Sequence, residues 1–205
     1  MSRNYSVFLC IVLTGFMLLA TAAQAQNKDG NSGILYGEDH AFGFQAPKGW
    51  TLDNQSGVEQ GLDAVFYPVG QTWEHSPIIA YARALSKEAH IKTANDAVQD
   101  TLKGFRSNNN PHSQAKKVSP IVIDKTRTAQ VYYYTGDKWG RFEAVAYVVE
   151  GKTINFFVMS SKNQKDFKKS LPAFQSLVKS YIYMGDSPLA APKKPKPLSG
   201  AEGKI

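Results

Sequence analysis

Two consecutive segments of this 205-residue chain are apolar on both of their alternating faces, and this property most constrains the fold. In both segments, Phe142 to Val149 and Thr153 to Ser160, apolar side chains occupy odd and even positions alike. A strand with one face exposed to solvent alternates apolar with polar residues. Because these two segments lack that alternation, both of their faces must be covered by other parts of the chain. The short turn at Glu150-Gly151 has no room for a parallel crossover and predicts antiparallel neighbours.

The same alternation predicts further strands along the chain. A short strand with Phe42, Phe44 and Ala46 stops at Pro47, and Trp50 to Leu52 continues the sheet after the turn. The other predicted strands are Leu62 to Val69, Ile78 to Leu85, Val118 to Ile123 and Ala129 to Thr135.

Helical spacing of apolar residues predicts two helices. The first opens at Thr93, where Asp96 completes a capping-box-like pair, and ends at 108–111. The second spans about 164–183, and Pro172 inside it predicts a kink or two abutting helices. Helices on both faces of such a sheet predict an α+β fold: a three-layer α/β/α sandwich with a central, mainly antiparallel sheet.

Residues 1–25 have the pattern of a secretory signal peptide. Arg3 precedes an apolar run from Val7 to Ala20, and Ala23-Gln24-Ala25 has the small-x-small pattern of a cleavage site. The run is shorter than the roughly 20 apolar residues that span a bilayer. We therefore predict cleavage after Ala25, a bacterial periplasmic or secreted location, and no transmembrane span after cleavage.

The predicted mature chain excludes several chemistries. The only cysteine of the full sequence, Cys10, lies in the predicted signal peptide, so the predicted mature chain has none. A disulfide, a thiolate nucleophile and a cysteine-ligated metal site are therefore excluded. Composition divides the rest into a disordered leader at 26–33, one domain at 34–184 and a disordered Pro/Lys-rich tail at 185–205.

Two local stretches add a resemblance to this framework. Residues 42–50, Phe-Gly-Phe-Gln-Ala-Pro-Lys-Gly-Trp, form a strand that ends in a Pro-x-Gly-Trp turn, and residues 174–181 close with apolar-Lys-Ser-aromatic. Together with the order of strands, helix, strands and terminal helix, they resemble the Mog1/PsbP-like fold family over about residues 40–184. The resemblance implies the fold, and it implies no catalytic residue because the members differ in function.

Within that family, the chain is most similar to the bacterial secreted or periplasmic branch, such as the DcrB-like proteins of unknown function. It departs from DcrB-like members because no lipobox cysteine follows the signal peptide. The resemblance therefore leaves membrane tethering open.

Two tryptophans fall in predicted turns beside charged residues. Exposed aromatic surface next to fixed polar groups is typical of binding sites for sugars or partner proteins. Two interpretations stay open, because each ring either binds a partner or folds back over the sheet and closes the core. The candidate ligand- or partner-binding residues are Trp73, Glu74, His75, Lys138, Trp139 and Arg141.

The remaining motifs indicate no reaction. The four histidines lack His-x-His or His-Glu-x-x-His spacing, and no nucleophile elbow or phosphate-binding loop occurs. The net charge of +7 suits weak contact with anionic envelope polymers, although a solvated charged face explains it equally. From the missing motifs we predict no catalytic residue, no metal and no cofactor. No motif that reads nucleic acid accompanies the positive charge, so we also predict no nucleic-acid partner.

Three hypotheses about function follow. The first is a secreted, non-catalytic accessory or binding module of the bacterial envelope, with an unknown envelope protein or small ligand as partner. The alternative is an envelope enzyme or metal-binding factor whose site assembles from scattered Glu, Asp and His. A third is a stress- or assembly-linked structural protein that is recognised through its Pro/Lys tail.

Overall fold

A computed structural model describes residues 31–186. The predicted signal peptide, most of the leader and nearly all of the tail lie outside the described residues. The elements are β1 (Ser32–Gly37), β2 (His40–Gln45), β3 (Trp50–Asp53), β4 (Val65–Pro68), β5 (Ile78–Ser86), α1 (Ala94–Ser107), β6 (Gln114–Lys117), β7 (Ile121–Val122), β8 (Thr128–Thr135), β9 (Phe142–Val149), β10 (Thr153–Ser161), α2 (Gln164–Lys179) and β11 (Ile182–Gly185).

The strands form two sheets. The larger sheet has eight strands in the order β3-β4-β5-β10-β9-β8-β6, with β7 also paired to β8, and the smaller has the order β1-β2-β11. All of these pairs are antiparallel. Helix α1 covers one face of the larger sheet, while α2 and the smaller sheet cover the other. The predicted α+β fold with a central antiparallel sheet is therefore confirmed.

Both faces of β9 and β10 are buried, as their apolar alternation predicts. The side chains on the α2 face include Ala146, Val148, Phe157 and Met159. Those on the α1 face include Val145, Tyr147, Ile154 and Val158. The two hydrophobic layers lie back to back across the sheet, which explains why these strands carry so few polar side chains.

Helix α1 begins where the sequence predicts. The Thr93 side chain accepts a hydrogen bond from the N–H of Asp96, and the Asp96 carboxylate accepts one from the N–H of Thr93. This capping box satisfies two backbone donors that the first helical turn leaves unpaired. Within residues 31–186, neither helix has the length and apolar character needed to cross a bilayer.

The predicted C-terminal end of the second helix, at 183, is wrong. Helix α2 stops at Lys179, and the chain enters strand β11 at Ile182 rather than continuing to 183. At the change of direction, the Ser180 hydroxyl accepts from the N–H of Gln45 at 2.8 Å, donates to the Leu177 carbonyl at 2.6 Å and lies 3.1 Å from the Gln45 carbonyl. These bonds tie the chain to β2, with which β11 then pairs. Pro172 lies inside a single continuous helix, not between two.

Three further boundaries differ from expectation. The predicted strand from Val118 to Ile123 is reduced to the two residues of β7, because Pro120 before it has no N–H for the ladder, and the unpredicted strand β6 precedes this break. Strand β4 starts only at Val65, because the N–H of Leu62 donates to the Gly57 carbonyl at 3.0 Å in a local turn instead of joining the sheet. Strand β1 starts at Ser32, inside the predicted leader, since it pairs along the whole of β2.

Candidate functional site

The turn between β8 and β9 holds Trp139 at the surface, with 49% of the residue exposed. Lys138 Nζ and Arg141 Cζ each lie 4.7 Å from the centroid of the indole ring. Cation–π contacts of this type contribute about 0.5–1 kcal/mol each at exposed sites. The two cations therefore hold a large exposed aromatic ring in a defined orientation.

Hydrogen bonds within the turn fix Arg141. Its backbone N–H donates to Asp137 Oδ1 at 2.7 Å, and its Nε donates to Asp137 Oδ2 at 2.6 Å. Burial raises the pKa of the Asp137 carboxyl, but the hydrogen bonds and charge of Arg141 outweigh burial and hold the pKa below its ordinary value. Asp137 is therefore ionised at neutral pH and closes the turn as the partner of Arg141.

A groove of about 580 Å³ separates Trp139 from the loop that follows α1. Three consecutive asparagines, Asn108 to Asn110, form its far wall. Asn110 is buried, and its Oδ1 accepts a hydrogen bond from the N–H of Lys138 at 2.9 Å. This bond joins the end of α1 to the Trp139 turn. The groove therefore combines an indole, two cations and side-chain amides, a mixture typical of sites that orient a ligand by a few polar groups.

A buried acid lies beneath the turn. Glu143 Oε1 accepts a hydrogen bond from Ser160 Oγ at 2.9 Å and lies 3.8 Å from Arg141 Nη1. Burial raises the pKa of Glu143 above its ordinary value of 4.5, and the charge of Arg141 and the Ser160 hydroxyl oppose that shift only in part. The same guanidinium therefore faces an ionised Asp137 and a carboxyl that is harder to ionise.

Replacing Glu143 by glutamine should raise the free energy of unfolding at pH 7. The pKa of Glu143 is higher in the folded state than in the unfolded state, so protonated Glu143 favours folding. Its contribution to the free energy of unfolding is fully present below the pKa of the unfolded state and is lost as pH rises through the pKa of the folded state. Glutamine is neutral throughout, and its Oε1 still accepts from Ser160. Urea unfolding from pH 3 to pH 8 measures the difference, which should vanish at the acid end.

The control for this prediction is Glu59→Gln, at an exposed carboxylate outside any ion pair among residues 31–186. It should change stability little at any pH, because an exposed charge is well solvated in both states. A stabilising effect of Glu143→Gln that grows as pH falls would contradict the assigned shift.

The loop between β4 and β5 holds the other three candidates, and there the Trp73 ring folds back into the core. Only 7% of Trp73 is exposed, because the ring packs on Leu62 and Val65 in a separate small core. Glu74 and His75 remain exposed beside it. Of the two interpretations left open by the sequence, core closure describes Trp73 and surface exposure describes Trp139.

The two tryptophan loops lie at the same end of the larger sheet. Ile78 at the start of β5 and Phe142 at the start of β9 both pair with Ser161 at the end of β10. The structure therefore brings Lys138, Trp139 and Arg141 together, and places the Trp73 loop beyond the intervening strand β10.

The histidines are dispersed over the described part of the chain. His40 is half-buried in β2, while His90 is exposed and lies 3.7 Å from Glu88 and 3.8 Å from Asp100. Across residues 31–186, no three His, Cys, Asp or Glu side chains form a group that could hold a metal ion. The alternative of an enzyme or metal-binding factor thus stays a prediction. Residues 31–186 contain no assembled group of metal ligands that would support it.

The chain is similar in structure to PsbP (CyanoP) from the cyanobacterium Synechocystis sp. PCC 6803. The identity is 13% and the TM-score 0.52, over 80% of this chain and 99% of that one. Ran-binding protein Mog1p from Saccharomyces cerevisiae aligns with 11% identity and a TM-score of 0.46, over 74% of this chain and 94% of that one. No protein-family model matches the sequence, and no curated protein is significantly similar to it.

At this level of identity, the similarity to PsbP defines the fold alone. The chain has the Mog1/PsbP-like fold that residues 42–50 and 174–181 predict. Which molecule it binds, and where, has to be argued from its own side chains.

Proposed function

We propose that this chain is a secreted, non-catalytic accessory or binding module of the bacterial envelope, and that it binds a partner protein or ligand at the Trp139 groove. The observation that carries the proposal is the exposed indole fixed by Lys138 and Arg141 beside a groove of about 580 Å³. Tryptophan and arginine are the side chains most enriched among residues that dominate binding energy. The predicted signal peptide supplies the envelope location.

Trp139→Ala should abolish most of the binding affinity. A pull-down from envelope extract with residues 26–205 identifies the partner, and titration of the purified partner gives the dissociation constant. The variant should weaken binding about thirtyfold, since a central aromatic contact contributes about 2 kcal/mol or more. Its stability should fall by no more than about 1–2 kcal/mol, because the exposed indole makes two cation–π contacts and contributes no core packing.

The matched control is Tyr36→Ala, which removes a ring that is 53% exposed on the outer face of the smaller sheet. Affinity should be unchanged in this variant. A partner that tolerates Trp139→Ala and is lost with Tyr36→Ala would contradict the proposed site. Capture of anionic polymer alone, lost at moderate salt, would contradict the proposal of a specific partner.

A further inference from the structure

A second groove, separate from the Trp139 groove, lies on the α2 face of the larger sheet. It has a volume of about 380 Å³, within the range of small-molecule sites. The break at Ser119-Pro120 between β6 and β7 forms one wall, and one side of α2 forms the other. The apolar side chains along it are Val118, Pro120, Ile121, Val131, Leu171, Pro172 and Phe174.

Two lysines border this apolar groove. Lys116 pairs directly with Tyr133, a lining residue, so both side chains project from the same face of the sheet. Lys168 precedes Leu171 by three residues and therefore lies beside it on α2. Both lysines are exposed, and neither has an ion-pair partner within the described part of the chain. The rim of the groove thus carries uncompensated positive charge.

We infer that this groove binds a long-chain carboxylate, with the hydrocarbon along the α2 groove and the carboxylate beside Lys116 and Lys168. The polar side chains of the lining are few: Ser119, Tyr133 and Gln175. An extended peptide brings one donor and one acceptor per residue, and each buried amide left unpaired costs about 1–3 kcal/mol. A hydrocarbon chain brings none, and gains about 0.8 kcal/mol for each buried CH₂.

Titration with dodecanoate, kept below its micelle concentration, tests the inference. Calorimetry should give one site per chain, and methyl NMR shifts should be confined to Val118, Ile121, Val131 and Leu171. Ser119→Trp fills the groove from an exposed position and should abolish binding. Gln175→Phe does the same from the opposite wall, and thermal unfolding of both variants establishes that they remain folded.

The charge contribution is separated by a matched pair of variants. Lys116→Glu combined with Lys168→Glu should weaken dodecanoate binding about five- to tenfold, and should not affect dodecanol. Lys103→Glu reverses an exposed charge on α1, which packs on the opposite face of the larger sheet, and should have a much smaller effect.

Three results would overturn the inference. They are dodecanoate binding unaffected by both groove-filling variants, no dodecanoate binding, and binding of an acidic peptide or lysophospholipid in its place. None of these outcomes bears on the Trp139 groove, which lies on the α1 face and is tested by its own variant.

Discussion

Phe157→Ala should lower the free energy of unfolding by about 3–5 kcal/mol, the usual cost of truncating a fully buried phenylalanine. Phe157 is 0% exposed and lies on β10, facing the smaller sheet. Its ring centroid lies 6.0 Å from that of Phe42, 6.2 Å from Phe44 and 6.3 Å from Tyr181. These rings belong to β2 and to the residue that leads into β11. The truncation therefore removes the ring on which the smaller sheet packs.

Chemical denaturation measures the loss, and Phe156→Ala is the control on the same strand. Phe156 faces the α1 side and is only partly buried, so its truncation should cost clearly less. Amide exchange in the Phe157 variant should accelerate first in β1, β2 and β11, because these strands pack through that ring. Equal losses for the two variants would contradict the assigned role of Phe157.

The central layer of this protein could be predicted because its signal is local. The strands β9 and β10 carry apolar residues at both odd and even positions, and only cover on both faces of the sheet buries all of them. The start of α1 is equally local, since Thr93 and Asp96 cap each other within one turn. Such features depend on neighbours only a few residues away.

Strand β11 could not be predicted because its partner is distant in sequence. The helical spacing of apolar residues continues from Leu177 through Tyr181, which favours a longer helix. The chain leaves that helix at Ser180, whose hydroxyl accepts from the N–H of Gln45, 135 residues earlier, and β11 then pairs with β2. Strand β6 is a similar case, since the polar run Gln114 to Lys117 becomes a strand only by pairing with β8.

In the candidate site, too, contacts between residues distant in sequence could not be predicted. Trp73 and Trp139 have equivalent local sequences, a tryptophan in a turn beside charged residues, yet they differ sharply in exposure. Leu62 and Val65 from a preceding segment decide the burial of Trp73. Asn110 anchors the Trp139 turn, but the sequence marks it only as part of the stop of α1 at 108–111. The one available signal was the run of three asparagines after α1, directly before Pro111.

Gly136→Ala should both destabilise the protein and impair binding at the Trp139 groove. Gly136 has a φ of 81°, in the left-handed region that favours glycine. A Cβ at this position would also overlap the backbone carbonyl oxygen of His112, in the loop between α1 and β6. Backbone strain and overpacking together should cost about 3 kcal/mol. Relief of the overlap requires the turn to move away from that loop, which carries the far wall of the groove.

The matched control is Gly140→Ala in the same turn. Gly140 has a φ of 69°, but an added Cβ would meet no atom within 4 Å. Its cost should be the left-handed strain alone, about 1 kcal/mol, with little change in partner affinity. Urea unfolding separates the two variants by about 2 kcal/mol if the contact with His112 sets the position of the turn. Equal costs would mean that backbone strain alone governs Gly136, and that the α1 loop does not hold the Trp139 turn in place.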